Sequence, residues 1–436
     1  MPAPLVLSLL VATAPAAAAE TPRLALAEVL ERAKGHSARL QALGSLEQAA
    51  EAGVRGARAG RLPQLELQAS YFRNSDVPEL VLAIPGLPAR TIFPNIPDHW
   101  RTRAQATQPL YTGGGVAGQI DAAGFARDAA RQQAEDGRDE LVLEAATAYW
   151  SLVTAREAER VLREAVHSYE SHLKDARNRL DLGLVARNEV LAVQVERDRA
   201  ELQRLEAGNA ARIANANLLR LTGLPEGTQV EPSEGLDAPS SGGAAELQDL
   251  VREAQAGRAD LEAVRSRVSS LEGQARAAQA ASRPQAFLQA GYDWASPNSR
   301  VLPLSDAWQG TWSVGAVVSL NAWDGGRTRA AVAQVRAQTD SLRNQLEDAE
   351  RSVALEVEAR LLDLRNSEAA YAVAERNLEA ARENVRVTRD RYQEGVALSS
   401  ELLDAETALL HAGLDLTRAG AGWRLGHARL DRAVGR

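Results

Sequence analysis

From Gln64 to Phe72 the side chains alternate, with Leu65, Leu67, Ala69 and Tyr71 on one face and Gln64, Glu66, Gln68 and Ser70 on the other. A period of two predicts a strand with one apolar and one polar side. The pattern recurs at Ala286, Leu288, Ala290 and Tyr292, and again where Trp312, Val314, Ala316, Val318 and Leu320 alternate with Thr311, Ser313, Gly315 and Ser319. A fourth strand is expected at about 103–110, and Pro-rich hairpin loops at about 75–100 and 295–309. Four strands are too few to close a barrel.

Elsewhere the period is helical. Leu141, Ala145, Ala148, Leu152 and Ala155 step by four and three, and the step resumes at Leu162 and Ala165. Leu402, Ala405, Leu409, Ala412, Leu416, Ala419, Trp423, Gly426 and Leu430 continue it strictly near the C-terminus. These are heptad seams whose alternate small residues let antiparallel helices approach closely. No Pro interrupts about 116–182, so a helix there would be on the order of 100 Å long.

The chain also repeats itself. Leu26, Leu40, Glu51, Pro63, Gln68 and Tyr71 correspond to Leu247, Leu261, Glu272, Pro284, Gln289 and Tyr292, an offset of 221. Downstream the offset becomes 212, pairing Gly113-Gly114 with Gly325-Gly326, Leu152 with Leu364, Gly183 with Gly395, Glu189 with Glu401 and Leu218 with Leu430. Two long repeats that change length in one hairpin loop indicate a duplicated supersecondary unit. The first repeat is expected over 20–230, with long helices at about 116–182 and 188–221. The second is expected over 246–436, with strands at about 285–293 and 311–320 and helices at about 327–392 and 400–434. A Pro/Gly/Ser-rich linker at 231–245 joins them. The fold class is therefore mainly α with a small β part, built from long coiled-coil helices and two β-hairpins.

Glycines punctuate both repeats. The return strands end at Thr112-Gly113-Gly114 and Asp324-Gly325-Gly326, where Thr112 and Asp324 are N-cap residues and the glycines let the chain turn abruptly from strand to helix. Neither turn continues into a phosphate-binding motif. The long helices are expected to turn at Leu182-Gly183-Leu184-Val185 and Glu394-Gly395-Val396, each with a Gly suited to end a helix and an acid in the next helix's first turn.

Composition narrows the function. With 436 residues, 45% hydrophobic but only 4% aromatic, the chain packs small residues rather than several bulky cores. A net charge of -8 argues against nucleic acid as a partner, and the absence of Cys removes disulfides, thiolate metal sites and Cys nucleophiles. Six scattered His, with His167 and His172 off the spacing that two ligands on one helix face need, supply no metal site. No catalytic constellation and no cofactor motif is present, so no enzyme activity is expected. Residues 1–19 end in Ala17-Ala18-Ala19 after an apolar run and are expected to be a secretory signal peptide. Beyond them no apolar run of 18 residues occurs. Export leaves two readings from the residues: an outer-membrane protein spanning through strands, or a periplasmic coiled-coil tether without a pore.

The turn L-G-L-V-A (182–186), its partner E-G-V-A-L-S-S-E-L-L-D-A (394–405), P-Q-L-E-L-Q-A-S-Y (63–71), Q-P-L-Y-T-G-G-G (108–115) and the duplication together resemble the TolC family of outer-membrane efflux channels. That resemblance implies a homotrimer in outer-membrane lipid: a twelve-stranded β-barrel continued by an α-helical barrel through the periplasm. It implies a passive exit duct for efflux or type I secretion, working with a periplasmic adaptor (membrane fusion) protein and an inner-membrane pump of RND, ABC or MFS type. Leu182, Gly183, Leu184 and Val185, with Glu394, Gly395 and Val396, match the family's adaptor-docking turns. Glu401 and Asp404 match acids that ring the periplasmic constriction, where three copies of each would attract cations. Tyr392 and Glu189 match closed-state contacts; Ala397 stands at the family's Arg position in that network, which leaves Arg187 as a substitute.

Overall fold

The computed structural model describes residues 22–86, 88–237 and 246–436; the N-terminal signal-like stretch and part of the linker lie outside the described residues. In chain order the elements are β1 (Arg23–Leu24), α1 (Leu26–His36), α2 (Ala38–Ala59), β2 (Gln64–Arg73), β3 (Leu80–Leu82), β4 (Arg90–Phe93), β5 (Asp98–Tyr111), α3 (Gly115–Asp181), α4 (Arg187–Thr222), β6 (Glu231–Pro232), α5 (Leu247–Gly257) and α6 (Ala259–Gln279). A 3₁₀ turn (Ala280–Ser282), β7 (Gln285–Ser296), β8 (Gln309–Ser319), α7 (Arg327–Gln393) and α8 (Ser399–Val434) complete the chain. The fold is mainly helical with a small sheet. α3 and α7 each run 67 residues without a break, and α4 and α8 each run 36. Among the described residues no helix is long and apolar enough to cross a membrane.

Contacts divide the chain into two compact units. One comprises residues 42–135 and 259–350 and holds an antiparallel sheet in the order β2-β5-β7-β8. Its register sorts side chains into rows. Leu65, Ala106, Ala290 and Val314 lie in one row and Leu67, Ala104, Tyr292 and Trp312 in the next, on the apolar face. Glu66, Gln105, Gly291 and Ser313, then Gln68, Arg103, Asp293 and Thr311, make rows of the polar face. Asp293 is buried there between two guanidinium groups, accepting from Arg101 at 2.8 Å and from Arg103 at 2.8 and 3.0 Å. Among the described residues nothing covers the apolar face: Leu65, Leu67, Trp312 and Val318 are each more than 70% exposed.

β5 begins at Asp98 rather than at about Arg103. The extra residues pair Trp100 with Tyr71 and Asp98 with Arg73, and the Tyr71 hydroxyl donates to Asp98 at 2.8 Å. The segment expected as a bare loop carries the short β3–β4 pair.

Both strand-to-helix turns are built alike. Gly113 and Gly114 have φ of 63° and 91°, and Gly325 and Gly326 have 70° and 88°. Thr112 Oγ1 accepts from the Val116 N–H at 3.2 Å, and Asp324 accepts from the N–H groups of Gly326 and Thr328 at 3.0 and 2.8 Å. These are the expected N-caps. A Cβ at Gly113 would lie 2.8 Å from the Arg283 Cβ, so the turn requires Gly for space as well as for φ.

The other unit comprises the described part of 1–41 with 136–258 and 351–436. Its core gathers Tyr149, Leu152, Leu218, Val29 and Val230, all essentially inaccessible. The Tyr149 hydroxyl donates to the Leu24 carbonyl and accepts from the Glu234 N–H, both at 3.2 Å. Asn215, also buried, donates to the Thr228 carbonyl at 2.8 Å and accepts from the Val230 N–H at 2.9 Å. Both of these buried polar side chains have partners, and together they tie the chain after α4 back onto the helices.

Candidate docking turns and the polar cluster behind them

The two helix-to-helix turns share one backbone geometry. At the first, the Leu184 N–H donates to the Arg179 carbonyl and the Gly183 N–H to the Leu180 carbonyl, both at 2.9 Å. At the second, the Val396 N–H donates to the Arg391 carbonyl at 2.9 Å and the Gly395 N–H to the Tyr392 carbonyl at 3.1 Å. This paired pattern closes a helix with a left-handed residue at its end, and Gly183 and Gly395 supply it with φ of 73° and 76°. The tips expose apolar side chains that nothing among the described residues covers: Leu182, Leu184, Val396 and Leu398 are each more than 60% accessible. Val185 is half-buried and Glu394 exposed.

The predicted acids sit beside these turns. Glu401 reaches back to the Leu398 N–H at 3.3 Å and pairs loosely with Arg391 at 3.6 Å. Asp404, one turn further along α8, is exposed as well. Glu189 plays the matching capping part in α4, accepting from the Ala186 N–H at 3.5 Å, and Arg187 is exposed next to it.

Tyr392 is instead buried, 3% accessible, and burial pushes its phenol up. Within one chain it does not meet Glu189. Its ring packs edge-on to His172, with centroids 5.4 Å apart, and under the Arg179 guanidinium, which stands 4.2 Å above it. Arg179 also donates to the Tyr392 carbonyl at 2.7 Å and the Gln393 carbonyl at 3.3 Å, placing a cation on the carbonyls that end α7. Ala397 is buried in a small cluster with Tyr392 and Leu402. The position that carries Arg in the family pattern is here part of the packing.

Immediately behind the second turn lies a group that sequence reasoning missed. The Glu406 carboxylate on α8 is 3% exposed and accepts from Ser168 of α3 at 2.7 Å and Arg389 of α7 at 2.8 Å. Its other oxygen faces His172 Nδ1 at 2.9 Å, and His172 Nε2 meets the hydroxyl of Ser399, the first residue of α8, at 3.0 Å. Ser168 also accepts from Arg389, at 2.8 Å, and Tyr169 pairs with Thr407 at 3.0 Å. Leu402, Glu406, Leu410, Gly413 and Thr417 form one buried stripe of α8, so an acid within an otherwise small and apolar stripe was the available signal. Ser399, His172 and Glu406 are linked in the order of a nucleophile, base and orienting acid, and all three are buried. Among the described residues no His, Asp or Glu group could hold a metal ion.

The sheet, the long helices and the paired turns are features of a known family. The profile described as "Outer membrane efflux protein" matches residues 29–224 and 250–436, most of the chain. The chain belongs to the outer membrane efflux protein family. It is similar to the outer membrane protein TolC of Vibrio cholerae serotype O1, 23% identical over 412 residues that cover 94% of this chain and 90% of that one. It is also similar to the protein CyaE of Bordetella pertussis, 26% identical over 392 residues, 89% of this chain and 79% of that one. In fold it resembles the outer membrane protein VceC of Vibrio cholerae, with a TM-score of 0.76 at 20% identity, covering 94% of this chain and 96% of that one. This outer membrane efflux protein is a channel component of the outer membrane, its helical part lying in the periplasm. Its family is one of transport conduits rather than enzymes.

Proposed function

We propose that three copies of this outer membrane efflux protein close a twelve-stranded barrel whose helices continue it as a periplasmic tunnel, and that the assembly is a passive exit duct without catalytic activity. The four-stranded sheet carries this reading. Among the described residues its outer strands β2 and β8 have no neighbour on one side, one face is apolar and open, and the other is polar. A free edge invites pairing with another chain, and in lipid every backbone group must be paired, which closure alone achieves. The exposed rows of Leu65 and Leu67 then face hydrocarbon, and those of Glu66 and Gln68 face the lumen.

The exposed apolar tips Leu182, Leu184 and Val396, on turns pinned by Gly183 and Gly395 and flanked by Val185 and Glu394, are the docking surface for a periplasmic adaptor. The energy comes from an inner-membrane pump of RND, ABC or MFS class. Glu401 and Asp404 ring the periplasmic constriction. Tyr392, Glu189 and Arg187 make closed-state contacts between coils. The residues on either side of 231–245 are two structural repeats, and the Gly113-Gly114 and Gly325-Gly326 turns join each strand pair to its long helix.

Because the chain has no Cys, cysteine pairs placed on β2 and β8 report the trimer directly. Oxidation in outer-membrane vesicles is expected to give a covalent trimer that is heat-modifiable on a gel. A soluble, uncrosslinked chain in the periplasmic fraction would support the tether without a pore.

A further inference from the structure

Glu406 is the point where three helices meet, and its surroundings are one-sided within the duplication. Under the offset of 212 that pairs Gly183 with Gly395, His172 corresponds to Asn384, Glu406 to Gln194, Ser399 to Arg187 and Ser168 to Ala380. The first turn is backed by apolar packing of Leu173, Ala176, Val190 and Val193. Among the described residues only the second turn has a buried carboxylate and imidazole behind it. The partners bracket that turn: Arg389 and Tyr392 lie on the last two turns of α7, Ser399 opens α8, and Ser168 and His172 belong to α3.

We propose that Glu406, held by His172, Ser168 and Arg389, is the positioning residue of the turn Glu394–Val396, fixing the end of α7 and the start of α8 to α3 so that the turn is presented in one geometry. The proposal deepens the docking reading and rests on it for its consequence, though not for its test. Removing the donors of a carboxylate this buried leaves its charge unpaired. Each donor comes from a helix that the turn connects or abuts. Ser399 extends the tie through the imidazole to the first residue of α8, and Tyr392, packed between His172 and Arg179, extends it to the last turn of α7. The other titratable groups around this space are Glu164, His167 and Asp175 of α3, none of which bonds the carboxylate.

The test uses the full-length trimer in detergent, with a single nitroxide at Val396→Cys or, separately, at Leu184→Cys. Glu406→Ala is expected to raise the mobile fraction of the Val396 label on the order of tenfold, the effect of about 1.4 kcal/mol, and to leave the Leu184 label unchanged. Glu406→Gln is expected to restore the immobile spectrum. Its amide oxygen still accepts from Arg389 and Ser168, and its N–H donates to His172 Nδ1 once the ring proton moves to Nε2 and donates to Ser399. His172→Phe, which keeps an aromatic ring of similar size but gives up both bonds of the imidazole, is the second disruptive variant if Glu406→Ala does not fold, and it is expected to mobilise the Val396 label alone. An unchanged Val396 label in either disruptive variant overturns the proposal. So does equal mobilisation of both labels, which would make the cluster general packing. Failure of the docking reading would instead appear as normal export from variants altered at the tips, with the label results intact.

Discussion

Gly183 and Gly395 hold the same left-handed conformation at corresponding places in the two halves of the chain, and each is followed by the same pair of closing hydrogen bonds. The side chains beside them, Leu182, Leu184 and Val396, therefore project from a defined backbone instead of a mobile loop.

A charge at those tips tests the docking role. Leu184→Asp leaves the closing bonds untouched, because only backbone groups make them, yet it buries a carboxylate against any apolar partner surface. Export is expected to fall at least about tenfold while the heat-modifiable trimer persists. Loss of the trimer would assign the turn a structural role.

Glu401 and Asp404 flank the turn, and Glu401, which is exposed, is paired with Arg391 at 3.6 Å. In a trimer, three copies of each concentrate negative charge about one axis. Replacing both with Ala is expected to reduce cation selectivity and weaken divalent-cation block in planar bilayers. Unchanged conductance would remove them from the constriction.

The two faces of the sheet predict opposite outcomes for one substitution type. Leu67→Arg places a cation in the apolar row with Tyr292 and Trp312 and is expected to cost about 2–4 kcal/mol at mid-membrane depth, read as a lower temperature for trimer dissociation on a gel. Gln105→Arg lies across from Glu66 on the polar face and is expected to leave that temperature unchanged. If both substitutions behave alike, the assignment of the faces fails.

Burial pushes the phenols of Tyr149, Tyr169 and Tyr392 above their ordinary value of 10.0. A raised value means that the folded state holds its proton more tightly, so the stability these groups contribute is present below pH 10 and is lost as pH rises through the folded value. Thermal unfolding of the helical unit is expected to be flat from about pH 7 to about pH 9 and to decline above about pH 10. Tyr169→Phe, which gives up the bond to Thr407, is expected to lower stability by about 1 kcal/mol at neutral pH and to soften the alkaline decline, as followed by circular dichroism.

Local pattern was enough for much of this molecule. Alternation at Leu65, Leu67 and Tyr71 placed one apolar face on the strand, because a pleat has period two whatever its neighbours are. Thr112 and Asp324 were legible as N-caps, and Gly183 and Gly395 as helix ends, since those preferences are set within a few residues of backbone. The early start of β5 was not legible, because Trp100 and Asp98 join the sheet through Tyr71 and Arg73, which are remote in sequence.

The site divides in the same way. The exposed turn residues and the acids of the first helical turn are properties of short segments, and the sequence by itself determined where they lie. Tertiary structure decided what stands behind them. His172 and Glu406 are separated by 234 positions, and an ionisable pair that far apart has no periodic signature. Only the packing of α3, α7 and α8 brings Ser168, His172 and Arg389 to one carboxylate, with Ser399 on the far side of the imidazole, and only burial makes that carboxylate costly to release.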